Sequence, residues 1–413
     1  MSDNIAIPRK GMGPWLAIFL VAGNMIGSGL YLLPTSLAPF GSSSLIGWLA
    51  ATGGALAIAG VFAVLGALRP EADGVLAYPK QSLHPALGFV AWLAYWVSCW
   101  GGNVAVALAA VGYLESLIPG TANSPTITLI ILLALLWLFT LANLGGARAV
   151  ARFGGATLIL GLIPVLAATA LGLAQFSPTV FTSSWNPSGQ SLAHNLPPMV
   201  LLAFWAFLGL ECANAAAAKV DNPRRNLPIA ALGGVALAGG VYILACLAVQ
   251  GVIPAAQLAS STAPFADVVA RLAGPVAGIL VAVCATLKAC GTLAGWILVT
   301  AETGRAGAHA GYMPRLLSEA DPAATPRRGL ILTGVLMTGA ALLTVSPTLG
   351  KQFNTLIGLS VALFMLVYGL CAMALIADAR LIADSGRRMA ARVLALAALA
   401  FSGWVVWAWA GSL

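Results

Sequence analysis

The sequence predicts an all-α integral membrane protein, and three observations carry that prediction. Of 413 residues, 60% are hydrophobic and 8% are charged, with a mean hydropathy of +0.95. A soluble domain carries about 25% charged residues because its surface faces water, so a soluble enzyme, a disordered chain and a disulfide scaffold are excluded together. The apolar residues fall in long continuous runs, without the alternation of a membrane barrel strand, and helices satisfy their own backbone in lipid. The third observation is the placement of the basic residues. With the amino terminus in the cytoplasm, seventeen of the twenty lie in inside segments; only Arg271 and Lys351 fall outside, and Lys288 falls within a span. That asymmetry sets the orientation, and it accounts for the net charge of +8 without nucleic acid.

Each segment follows from the run it occupies, and about eleven runs are long enough to span. The first, 12–33, opens after a short polar terminus and lacks a small-residue cleavage site, so it reads as a retained span. It is interrupted by Gly23-Asn24-Met25-Ile26-Gly27-Ser28-Gly29, and glycines weaken a helical backbone. Runs 43–67 and 85–114 follow, the latter carrying Tyr95, Trp96, Trp100 and Asn103. Runs 126–144 and 154–174 are plain. The sixth, 196–217, is interrupted at Phe207-Leu208-Gly209-Leu210-Glu211-Cys212-Ala213-Asn214 and carries Trp205. Runs 229–252, 273–300 (with Lys288 and Trp296), 329–346, 354–378 (with Ser360) and 390–411 complete the chain.

Unwound backbone at membrane depth is tolerated only where protein or a cavity encloses it. Breaks at positions one and six are what an inverted five-helix repeat would place at a central site, although close helix packing alone also recruits glycine. The repeat would divide the single transporter domain, 1–413, into 1–174 and 196–378, with 390–411 as an added span. Glu211 is a carboxyl within a span, which marks an ion or proton path or else a structural hydrogen bond. Lys288 is the second intramembrane charge. It would neutralise Glu211, sit where a relative binds sodium, or snorkel to the interface. Indole faces attract cations, but tryptophans also anchor spans at the interface. All six cysteines lie in apolar runs without zinc-ligand spacing, and His84, His194 and His309 are scattered. No P-loop or GxSxG motif is present. The expectation is a protein that is not an enzyme, with no cofactor and no metal.

The stretches GNMIGSG (23–29) and FWAFLGLECANAAAAKVDNPRRNLPIA (204–230), together with YWVSCWGGN (95–103) and Gly295-Trp296, resemble the amino acid–polyamine–organocation superfamily over nearly the whole chain. Within it, the chain is most similar to bacterial arginine/agmatine antiporters and their lysine/cadaverine and ornithine/putrescine relatives. The resemblance implies a LeuT-like five-plus-five inverted repeat and a substrate site formed by Asn24, Ile26, Ser28 and Gly29 in the first break. Trp205 and Leu208 would serve in the second break, with Ser98, Cys99, Asn103 and Ser360 reading the substrate side chain and Trp296 gating with Trp205. Tyr95, Glu211 and Tyr368 match a deeper gate on the cytoplasmic side, with Glu211 as proton sensor. Three positions depart from the arginine antiporter. Val106 replaces a methionine, Lys288 replaces a small residue, and the twelfth span of relatives that dimerise through their last helices is missing.

The resulting expectation is a secondary transporter of the inner membrane that works by alternating access. It would exchange an amino acid for a related amino acid or amine with proton sensitivity, embedded in the lipid bilayer and, as in those relatives, able to form a homodimer. The alternatives are a proton-coupled or uncoupled permease for neutral amino acids with Lys288 as a cation surrogate, and a non-transporting receptor or channel.

Overall fold

The computed structural model describes residues 13–72, 76–118, 124–211, 222–318 and 324–411. Its helices begin where the sequence supplies a proline or a cap. Pro14, Pro85, Pro125 and Pro275 each occupy a first helical turn, where a missing N–H costs nothing. Side chains of His84, Ser124, Thr348 and Asp384 accept from the free amides of the turns that follow them.

The main helices in order are α1 (Pro14–Met25), α2 (Ser44–Leu68), α3 (Ala77–Ser82), α4 (Pro85–Leu117), α5 (Pro125–Leu144), α6 (Ala147–Ala174) and α7 (Leu192–Phe204). There follow α8 (Pro223–Gln250), α9 (Pro264–Ala273), α10 (Pro275–His309), α11 (Arg327–Leu343), α12 (Leu349–Asp378) and α13 (Ser385–Ala410). Among the described residues, eight helices are long and apolar enough to cross a membrane. The expected runs 12–33 and 196–217 yield shorter apolar helices, because the chain unwinds at their glycines. Run 329–346 yields the 17-residue α11. The fold is thus all-α and multi-spanning, as composition required.

α4 lies at the centre, packed against α10 and α12, while α10 also meets α6. On the other side α1 lies along α8, and α8 along α2. The expected span 273–300 runs on to His309. Its extra turns stay enclosed because Trp92 of α4 donates from Nε1 to the Thr303 carbonyl at 2.9 Å. Trp92 in turn stacks on Trp96, with centroids 5.6 Å apart.

One ion pair ties the ends of two helices together across the sequence. Arg69, just past α2, donates from Nε and Nη2 to the two oxygens of Asp378, each at 2.9 Å, and Ser82 of α3 adds a third hydrogen bond at 2.6 Å. The two-pronged geometry suits a guanidinium and not an ammonium. Asp378 is 1% exposed while the Arg69 side chain is 26% exposed, so the cation is partly solvated and the carboxylate is not. Replacing Arg69 by Met leaves that carboxylate short of partners and should destabilise the fold by about 1–3 kcal/mol. Arg69→Met/Asp378→Asn should recover part of the loss, because the stranded charge is gone. Thermal unfolding in detergent checks both variants; an unchanged midpoint for Arg69→Met removes the claim.

Candidate functional site

The first break begins where α1 ends. Ile26 N still donates to Ala22 O at 2.7 Å, and the next turn closes with Leu30 N to Gly27 O at 3.2 Å. Among the described residues the amides of Gly27 and Gly29 donate to no carbonyl. Both glycines line the cavity described below, where backbone donors can meet a ligand. The chain beyond the break is pinned by tyrosines: Tyr113 Oη donates to the Tyr31 carbonyl at 3.2 Å, and Tyr31 Oη to the Gly161 carbonyl at 3.0 Å.

The second break faces the first. α7 ends at Phe204, one tight turn covers Trp205–Phe207, and Leu208 is extended. Gly209 then takes φ 98°, which a side chain would strain. Tyr242 Oη donates to the Ala206 carbonyl at 2.9 Å, holding the turn against α8. The breaks touch: a methyl group at Gly29 would lie 3.3 Å from Trp205 Nε1 and 3.8 Å from Ala206 Cα.

A cavity opens at this meeting point. Of the residues singled out in the sequence, Gly29, Ser98, Cys99, Asn103, Trp205, Leu208 and Trp296 line it. Val106 lines it as well. Ile26 and Ser360 are not part of the wall. Ile26 packs in the hydrophobic core. Ser360 instead exchanges hydrogen bonds with Ser98, each hydroxyl donating to the other's carbonyl at 3.1 and 3.3 Å, which fixes α12 against α4. Asn103 donates to Thr300 Oγ1 at 3.0 Å and presents its remaining surface to the cavity. The side chains of Asn24 and Ser28 lie outside the described residues, as does Cys212.

Below the cavity Glu211 closes a network. Tyr368 Oη donates to its Oε2 at 2.6 Å, Tyr95 Oη to its Oε1 at 3.3 Å, and the Gly209 amide to Oε2 at 3.2 Å. Three elements, α4, α12 and the second break, are therefore joined through one carboxyl. Phe364 lines the cavity and meets both tyrosine rings, at centroid distances of 5.0 and 5.7 Å. It stands one turn before Tyr368, so helical spacing could have flagged it.

Lys288 forms no ion pair with Glu211, whose oxygens accept from the two hydroxyls and the Gly209 amide. It forms no ion pair among the described residues. It lines a second space with Gly23, Gly154, Gly209 and Trp296. Trp296 and Thr292 border both spaces. Thr292 was not singled out in the sequence, although it lies one turn from Trp296 on the same face.

The family model described as amino acid permease matches residues 12–409. The chain belongs to the amino acid permease family. It is similar to the putrescine transporter PotE of Escherichia coli K12, 35% identical over 365 residues that cover 88% of this chain and 83% of the relative. The cadaverine/lysine antiporter of the same organism is 34% identical over 364 residues, covering 87% and 82%. The putrescine transporter PotE of Haemophilus influenzae is 35% identical over 345 residues, covering 84% and 79%. This permease is a multi-pass membrane transporter of the amino acid–polyamine–organocation superfamily, and not an enzyme.

The contact between the two breaks makes a sharp test. Gly29→Leu would press a side chain against Trp205 and Ala206 and fill the meeting point. Binding of the transported molecule should be abolished while size-exclusion elution in detergent stays that of the wild type. Retained wild-type affinity in this variant means that the ligand sits elsewhere.

Proposed function

We propose that this permease is an antiporter that exchanges an amino acid for a related amino acid or amine across the inner membrane, by alternating access around the cavity between the breaks. The observation that carries the proposal is that cavity. It lies where two interrupted helices meet and is bordered by two tryptophans and by Phe364; beneath it, as a floor, the tyrosines that Phe364 meets hold the Glu211 carboxyl. The names of the relatives, a putrescine transporter and a cadaverine/lysine antiporter, point to the same substrate class.

In this reading the backbone donors of the first break receive the anionic end of a substrate. The aromatic faces of Trp205 and Trp296 cover its body, an arrangement that also suits a cation. The halves 1–174 and 196–378 form the inverted repeat, with 390–411 added, and the amino terminus is cytoplasmic because that orientation gathers the basic residues inside.

Glu211 couples the exchange to protons. As a carboxylate it accepts from Tyr95 and Tyr368 and holds α4, α12 and the second break together. Among the described residues, those two hydroxyls and the Cys371 thiol on α12 are the titratable groups that face it. Once protonated it loses the charge that makes those bonds strong, so the floor loosens as pH falls.

Two measurements test the proposal. Purified protein in liposomes loaded with unlabelled lysine, ornithine or arginine should take up the labelled amino acid or its amine by exchange, and empty liposomes should show little uptake. Uptake indifferent to the internal load would refute exchange. Glu211→Gln mimics the protonated carboxyl and should keep binding while flattening the dependence of exchange on pH; an unchanged pH profile removes the proton-sensor role.

A further inference from the structure

Lys288, Thr292 and Trp296 recur every fourth residue on α10, one face of the helix. Lys288 is 8% exposed, and its ammonium makes no hydrogen bond or ion pair among the described residues. A methyl group at Gly27 would lie 3.4 Å from Lys288 Cε, 3.7 Å from its Nζ and 3.8 Å from Thr292 Oγ1. The ammonium and the hydroxyl therefore both lie against Gly27 of the first break. Thr292 Oγ1 is buried without a hydrogen-bond partner, and so is Trp205 Nε1, which abuts Gly29. The amides of Gly27 and Gly29 are also uncommitted to any carbonyl among the described residues.

These groups share one chemical character. An ammonium, an indole N–H and two amides can only donate, and a hydroxyl can donate as well as accept. A buried cation with no counter-charge is expensive, and in a membrane span such a residue marks a functional site with a missing partner. An oxygen anion is the kind of group that such donors suit, and Thr292 borders both the cavity and the space that Lys288 lines. The nearby carboxyl of the second break, Glu211, is already bonded by Tyr95, Tyr368 and Gly209.

We infer that Lys288 and Thr292 form a carboxylate subsite at the first break, which makes this permease select amino acids over the decarboxylated amines derived from them. The inference rests on the exchange reading above and narrows its substrate class. An amine such as cadaverine or putrescine brings only cations to a fixed ammonium, whereas the parent amino acid brings the missing carboxylate. Charges a few ångströms apart in a poorly screened site weigh heavily, so preference within each pair should reach at least about tenfold.

The test is competition for counterflow in liposomes containing the full chain, using four pairs: lysine and cadaverine, ornithine and putrescine, leucine and isoamylamine, glutamate and γ-aminobutyrate. In every pair that is exchanged, wild type should favour the molecule bearing the α-carboxylate by about tenfold or more. Lys288→Met keeps much of the length without the charge and should collapse that preference toward unity. Thr292→Val, which keeps shape and loses the hydroxyl, should weaken the amino acid of each pair more than its amine and so lower the ratio; it carries the test if Lys288→Met fails to fold. Equal affinity for acid and amine in wild type overturns the inference, as does an unaltered ratio in the folded variants. If the basic pairs are inert while leucine is favoured over isoamylamine, the subsite stands and the basic-substrate reading falls. If no pair is exchanged, both fall.

Discussion

A polypeptide inside a bilayer has no water to which its amides and carbonyls can turn, and the central architecture of this permease follows from that constraint. Helices meet it without help. The two places where the chain leaves helical geometry, after Met25 and after Phe204, need the rest of the protein to supply partners or enclosure. Tyr113 and Tyr242 each spend a hydroxyl on a carbonyl of the chain at or near a break. The breaks then meet one another, so that Gly27 and Gly29 of the first face a cavity and not lipid. A site for a polar ligand is the consequence of bringing two exposed stretches of backbone together.

The surrounding helices hold that meeting point rigid on one side and adjustable on the other. α4 is clamped to α12 by the reciprocal hydroxyl–carbonyl bonds of Ser98 and Ser360 and to α10 by Asn103 and Thr300. None of these bonds involves an ionised group. Beneath the cavity, by contrast, α4, α12 and the second break are joined through the single carboxyl of Glu211. A contact that depends on one ionisable group can be released by one proton, which the hydroxyl–carbonyl clamps cannot be. The placement of the two kinds of contact separates scaffold from gate.

Much of this was legible in the chain. The GNMIGSG stretch announced the first break, because three glycines in an apolar run weaken the helical backbone there. Glu211 announced itself as a carboxyl where lipid forbids one. Other residues gave no such signal. Thr292 is an ordinary threonine in sequence and acquires meaning only through the emptiness around its hydroxyl and the Lys288 ammonium beside it. Ser360 drew attention as a polar residue in a span, yet it serves Ser98, 262 positions away, and not the cavity. Asp378 stood at the end of an expected span with nothing to mark Arg69 as its partner.

The sequence by itself therefore determined the solvent, the element type and the points of interruption. Hydropathy and glycine content act locally, and each run or break can be read without knowing its neighbours. Only the tertiary structure decided which polar groups are spent on one another and which are left for a ligand. That distinction separates Ser360 from Thr292 and Glu211 from Lys288. It is a matter of distance between helices far apart in the chain, where a hydroxyl a few ångströms from a carbonyl is structural and the same hydroxyl facing a void is a binding group.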